Sequence, residues 1–277
     1  GVKMVIQSSP DLLEAITAAT MHEVTLREQQ YGMAKLEKKA TEINPRGKAF
    51  RSSLTAGPGF NVIAECKRRS PSRGVLCETY RPEVIARDYE QAGARAISVL
   101  TEPSFFDGNL RDLEQVRLAV RLPVLQKEFI VSRYQLLEAR AKGADAVLLI
   151  VAALNDDTLR AFHRTAAEYG LAVLVEAHDR EEVLRAVDAG AEIIGVNNRN
   201  LRSLSVNLEA SHLLIAEIPK TVVSVAESGL RDRADLVSLK AVGYDAFLIG
   251  EALMSQRDPG HALAGFLKGT GGITGDG

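Results

Sequence analysis

The chain has 277 residues, of which 46% are hydrophobic and 25% charged, close to globular averages. That length can bury one sizeable core, and barrels of this size commonly form a single domain. A formal net charge of −2 gives no electrostatic reason to expect nucleic acid or an anionic membrane as partner, so an anionic ligand must be held by a local site. Cys66 and Cys77, the only cysteines, lack metal-ligand or redox spacing and fit a reducing compartment. The longest apolar run, AVLLIVAAL at 146–154, falls far short of the roughly 20 residues that span a bilayer. The expected address is cytoplasmic.

Taken in order, Ser9-Pro10 followed by DLLEAITAATMHEVTLREQQ predicts a capped helix with proline at its first position. The KLEKK run at 35–39 reads as a solvated helix face, and a short helix is expected near 46–55. Residues 1–55 thus form a helical extension that caps the bottom of the following domain or braces its mouth. Beyond it a weak repeat sets in: a polar amphipathic stretch ends in Gly and a short apolar run follows, as in QAGARAISVL, AKGADAVLLI, DAGAEIIGV and AVGYDAFLIG. A helix often closes on a left-handed Gly, so Gly93, Gly143, Gly170, Gly190 and Gly243 each mark a helix-to-strand turn.

The apolar runs predict strands at 61–66, 96–101, 123–127, 146–152, 172–176, 193–197, 222–226 and 246–250. Helical segments are expected near 82–92, 110–120, 132–142, 155–169, 179–189, 207–217, 230–242 and 258–268. Near-continuous Val, Ile, Leu and Ala in the runs suits parallel strands covered on both faces. Alternation alone also admits an open doubly wound sheet, but eight units favour a closed (β/α)8 barrel over 56–268. The Gly-rich end, 269–277, is expected to be a flexible tail.

Barrel active sites lie at the carboxyl ends of the strands. Those ends read Glu65-Cys66-Lys67, Thr101-Glu102, Lys127-Glu128, Glu176, Asn197-Asn198-Arg199, Glu227-Ser228-Gly229 and Gly250-Glu251. Water contact would scatter charges over both ends of the strands, so their concentration at one end points to an enzyme. Strand parity puts Glu65 and Lys67 on one face and turns Cys66 toward the helices. If the shared faces are inward, Glu65, Lys67, Lys127, Glu176, Asn197 and Arg199 meet at the mouth, either as acid–base machinery or as a stabilising ion-pair ring. Ser228-Gly229 and Gly250-Glu251, each set before an expected helix, suggest a grip for phosphate through backbone N–H groups. The five histidines lack metal-ligand spacing, and no metal is expected. His178 follows Glu176 at the rim and is placed to back it.

On these residues the chain resembles the indole-3-glycerol phosphate synthases, in the segments IAECKRRSPSRG, SVLTEPSFFDGNL, LPVLQKEFIVSRYQ, ADAVLLIVA, VLVEAHD, IIGVNNRNL, VAESGL and LIGEALM. Three departures are small: Cys66 for an aliphatic residue, Glu128 for a common Asp, and Glu251 where some members have Ser. The resemblance implies a carboxy-lyase of tryptophan biosynthesis that closes the indole ring of a phosphorylated sugar derivative. It implies no cofactor, a small-molecule partner only, and a monomer. It casts Lys127 as general acid and Glu176 as acid and base, with Lys67, Glu65 and Asn197 supporting the chemistry. Arg199 faces the substrate carboxylate and Glu227 the sugar hydroxyls or Lys67. Pro71, Phe106, Phe129, Leu148, Leu201 and Ile249 form the apolar wall. Ser70, Ser228, Gly229, Gly250 and the backbone of Glu251 hold phosphate, and 68–74 is a mobile flap hinged at Gly74. Two other readings are a phosphoribosylanthranilate isomerase-like enzyme, which would want a Cys/Asp pair at the mouth, and a non-catalytic phosphosugar-binding barrel.

Overall fold

The computed structural model describes residues 11–268, so the expectations for Ser9, Pro10 and the 269–277 tail lie outside it. Eight parallel strands close into a barrel: β1 (Asn61–Cys66), β2 (Ala96–Leu100), β3 (Val124–Lys127), β4 (Ala146–Ile150), β5 (Ala172–Ala177), β6 (Ile193–Asn197), β7 (Val223–Glu227) and β8 (Ala246–Ile249). Strand β1 pairs with both β2 and β8, which rules out the open sheet. All five glycines of the repeat have positive φ, as the turn reading requires.

The predicted ends shift where a local contact decides them. The run at 146–152 leaves the sheet after Ile150 and tightens into a 3-10 turn, Val151–Ala153. The stretch 207–217 divides into a short helix, Glu209–Leu214, and a 3-10 turn, Ile215–Glu217. The helix expected from 230 begins at Arg233, because the Asp232 side chain accepts from the Asp235 N–H and fixes the start there.

Parity sorts the side chains into two cores. Ile63, Leu125, Leu148, Leu174, Val225 and Leu248 fill the barrel interior. Val62, Ala64, Cys66, Val99, Val147 and Phe247 pack outward under the helices. Cys66 is fully buried there, its Sγ 3.8 Å from the Pro82 carbonyl of the first barrel helix (Pro82–Ala92).

The N-terminal extension works at both ends of the barrel. Helix α1 (Leu12–Gln30) starts at Asp11, whose carboxylate accepts from the Glu14 N–H at 2.9 Å in a capping box. It lies over the mouth, where Leu12 and Ile16 reach the central cavity. Arg27 then clamps the buried Glu138 of the helix after β3 at 2.7 and 2.8 Å. Helix α2 (Met33–Ala40) packs Leu36 and Ala40 against Tyr134 and Leu137 and leaves Lys35, Lys38 and Lys39 in water. Helix α3 (Gly47–Ser53) closes the opposite end, where Phe50 and Leu54 plug the interior core. Its approach depends on glycine: a β-carbon at Gly47 would sit 2.5 Å from the Gly170 carbonyl oxygen.

Candidate active site

Glu65 ends β1 facing the barrel axis and is almost fully buried. It bridges two lysines: Lys67 Nζ lies 3.4 Å from one carboxylate oxygen and Lys127 Nζ 3.7 Å from the other, which also accepts from Ser98 Oγ at 2.9 Å. Burial alone raises the Glu65 carboxyl, but Lys127, Lys67 and the Ser98 hydroxyl together hold it below its ordinary value. Burial likewise works against the Lys127 ammonium, and the charges of Glu65, Glu176 and Glu227 overcome it and push Lys127 well up. Lys127 is therefore a firmly protonated cation set among three carboxyl groups.

Glu176 and Glu227 stand deeper, each 1% exposed. One Glu176 oxygen lies 3.7 Å from His178 Nε2, and the other has no hydrogen-bond partner among the described residues. His178 Nδ1 sits 2.8 Å from Glu182. Burial lowers the imidazole, but Glu182 and Glu176 reverse this and raise it. Burial pushes the Glu227 carboxyl above its ordinary range and Glu176 adds to that, while the Lys127 charge works in the opposite direction. Among the described residues neither Glu227 carboxyl oxygen has a hydrogen-bond partner. Room for this carboxyl comes from Gly195, where a β-carbon would lie 2.9 Å from Glu227 Oε2.

Above these carboxyls opens a cavity of about 240 Å³ lined by Glu65, Lys67, Lys127, Asn197 and Arg199. On its apolar side are Pro71, Leu201, Phe106 and Phe129, the last two with ring centroids 6.0 Å apart. Of the other two expected wall residues, one lines the cavity and one does not. Leu148 packs in the interior core and is not among the residues lining the cavity, whereas Ile249 does line it beside Leu248, although its side chain packs into the helix-facing core. Ser98, Leu12 and Ile16 were missed. Ser98 was legible as a lone hydroxyl in an apolar run, directly opposite Glu65 in the β1–β2 register. Leu12 and Ile16 carry no signal until α1 is placed.

Ser70, Ser228, Gly229, Gly250 and Glu251 gather on the polar side of the cavity. Ser228 and Gly229 take successive left-handed conformations, φ 68° and 73°. They do not start a helix as expected, because the following helix waits for its Asp232 cap. Gly250 does precede a single turn, Glu251–Met254, and has a second use: a β-carbon there would lie 2.7 Å from Glu65 Oε1. Glu251 contributes more than backbone. Its carboxylate pairs with Arg199 Nη2 at 2.7 Å and accepts from Ser72 Oγ at 3.2 Å and Ser70 Oγ at 3.5 Å. Asn197 Oδ1 accepts from the Arg199 N–H at 2.9 Å. The 68–74 loop is a small antiparallel ribbon, Arg69–Ser70 against Gly74–Val75, tied by an Arg68–Asp107 ion pair to the loop after β2. Gly74 turns it at φ 71°.

Residues 13–266 match the family model for indole-3-glycerol phosphate synthase. This chain belongs to that family. Indole-3-glycerol phosphate synthases are carboxy-lyases of tryptophan biosynthesis. The relative from Parafrankia sp. is 46% identical over 91% of this chain and 93% of its own length. The one from Streptomyces griseus is 47% identical over the same shares, and the one from Koribacter versatilis 45% over 91% and 96%. Among solved structures, a thiamine phosphate pyrophosphorylase from Pyrococcus furiosus superposes with a TM-score of 0.59 at 17% identity, covering 78% of this chain and 95% of its own. At that identity it speaks for the barrel alone. Among the described residues no helix is long and apolar enough to cross a membrane.

Proposed function

We propose that this synthase works through Lys127, held protonated at the cavity floor between Glu65, Glu176 and Glu227; that placement is the observation supporting the assignment. The reaction converts 1-(2-carboxyphenylamino)-1-deoxyribulose 5-phosphate into indole-3-glycerol phosphate, carbon dioxide and water. Lys127 protonates the ketone oxygen as the ring carbon attacks the carbonyl carbon, so the ammonium meets the negative charge where it develops. Loss of carbon dioxide then restores aromaticity. Dehydration follows, with Glu176 as acid and base.

Lys67 orients the sugar chain and is the second proton donor. Glu65 fixes the spacing of the two ammoniums, and Asn197 holds the Arg199 backbone. Arg199 takes the ring carboxylate, to which its planar fork is matched. Phe106, Phe129, Pro71 and Leu201 enclose the ring, and Ser70, Ser228, Gly229 and Gly250 receive the phosphate. Two free cysteines suit a cytoplasmic address. The isomerase reading lacks its thiol, because Cys66 is buried beneath the helices.

Incubating the chain with the carboxyphenylamino-deoxyribulose phosphate and following indole fluorescence tests the assignment. Turnover lost in Lys127→Ala with substrate still bound is the expected result. Near-normal turnover in that variant would place the general acid elsewhere.

A further inference from the structure

We propose that Glu251 determines specificity as an internal anion, whose carboxylate closes on Arg199, Ser70 and Ser72 and yields only to a ligand carrying two anionic groups. The inference rests on the roles proposed for Arg199 and Ser70. A carboxylate and a phosphate are both pure acceptors and compete for the same donors. Here Glu251 already holds those donors. Arg199 Nη2 meets it at 2.7 Å, while Arg199 Nη1 is spent on the Leu204 carbonyl at 3.1 Å. The two serine hydroxyls close on its other oxygen at 3.2 and 3.5 Å. A phosphate drawn to Ser70 meets this charge at close range and must expel it. Glu251 can leave, since its side chain keeps 23% exposure on a one-turn helix at the cavity edge.

Expulsion strands Arg199 unless the ligand supplies a second anion. The substrate does so with its ring carboxylate, whereas a lone phosphate does not. The product has lost that carboxylate as carbon dioxide, so after decarboxylation Arg199 is again without a partner and Glu251 can return to it. One side chain thereby favours entry of the doubly anionic substrate and release of the singly anionic product.

Titration with inorganic phosphate tests this without turnover, and product inhibition by indole-3-glycerol phosphate tests it with turnover. In Glu251→Gln, phosphate is expected to bind about tenfold tighter, and the product to inhibit at about tenfold lower concentration, the exchange of one charge-assisted pair. KM should fall less than the inhibition constant, because the substrate already compensates Arg199. Glu251→Asp, which retains the charge, should stay close to the parent in both measurements. Unchanged or weaker phosphate binding in Glu251→Gln overturns the proposal. So does a crystal structure of the parent protein with phosphate at Ser70 and all three Glu251 contacts intact. Absence of turnover in the parent protein would instead count against the assigned reaction, and the phosphate titration would still decide the role of Glu251.

Discussion

Replacing Lys127 by Met keeps most of the side-chain volume and removes the charge. Glu65 then loses the counter-ion 3.7 Å from its Oε2 but keeps Lys67 at 3.4 Å and the Ser98 hydroxyl at 2.9 Å. Removing one partner of a fully buried ion pair costs about 3–5 kcal/mol. Lys127 retains 18% of its side-chain exposure and Glu65 retains two partners, so a loss of about 2–3 kcal/mol at pH 7 is expected. For a chain of this size that lowers Tm by roughly 4–12 °C. The pH dependence has a definite sign. The parent Glu65 carboxyl sits below its ordinary value, so its stabilisation is present above the unfolded pKa of about 4.3 and is lost as pH falls through the lowered folded value. The gap between parent and variant should therefore be full at pH 7 and shrink in acid. Urea unfolding followed by circular dichroism at pH 7 and near pH 4 measures it, with indole fluorescence run in parallel. A variant as stable as the parent at pH 7, or a gap that widens in acid, would refute the ion-pair account.

Four further outcomes are expected. Gly250→Ala places a β-carbon 2.7 Å from Glu65 Oε1; because the conflict is with a side chain locked between two lysines, turnover should drop at least tenfold, which steady-state kinetics would show. Glu176→Gln should abolish product formation while substrate binding, measured by calorimetry, persists; normal turnover would remove Glu176 from the chemistry. Cys66→Ala, in the helix-facing core, should cost about 1 kcal/mol in urea unfolding and leave turnover within a few-fold, and loss of activity would contradict its outward orientation. Burial pushes Glu128 up to about 7, opposed by bonds from the Phe129 N–H and the Thr101 hydroxyl. A raised carboxyl makes folding less favourable as pH climbs from about 4.3 to about 7, so Glu128→Gln should remove an alkaline loss on the order of 3–4 kcal/mol. A Tm for that variant with the parent's slope between pH 5 and 8 would sink the argument.

Much of the site was legible because barrel strands impose a period of two and an active end. Glu65, Lys67, Lys127, Glu176 and Asn197 could be placed on one side, and Cys66 on the other, without any coordinates. Parity also shows that Leu248, beside Ile249 at the cavity, is the residue whose side chain faces the interior core. The helix expected from 230, directly after the Ser228-Gly229 turn, starts instead at Arg233, where the Asp232 cap fixes it.

What the sequence determined by itself was therefore whatever depends on local periodicity: eight strand–helix units, their left-handed glycine turns, and the row of charged residues at the strand ends. Tertiary structure alone decided which groups touch. It set α1 over the mouth and α3 against the floor, because one helix finds Arg202, Glu138 and the cavity rim while the other finds Gly170 and Asp145. It used Gly195 and Gly250 to make room for Glu227 and Glu65, a dependence between residues about 30 and 190 positions apart that no local pattern encodes. And it paired Glu251 with Arg199 across 52 positions, turning a residue read as backbone support into a charge in the binding site. Distances between strands, and the burial that comes with closing the barrel, are what convert a row of charges into a cluster in which the neighbouring carboxylates hold Lys127 protonated and burial pushes the Glu227 carboxyl up.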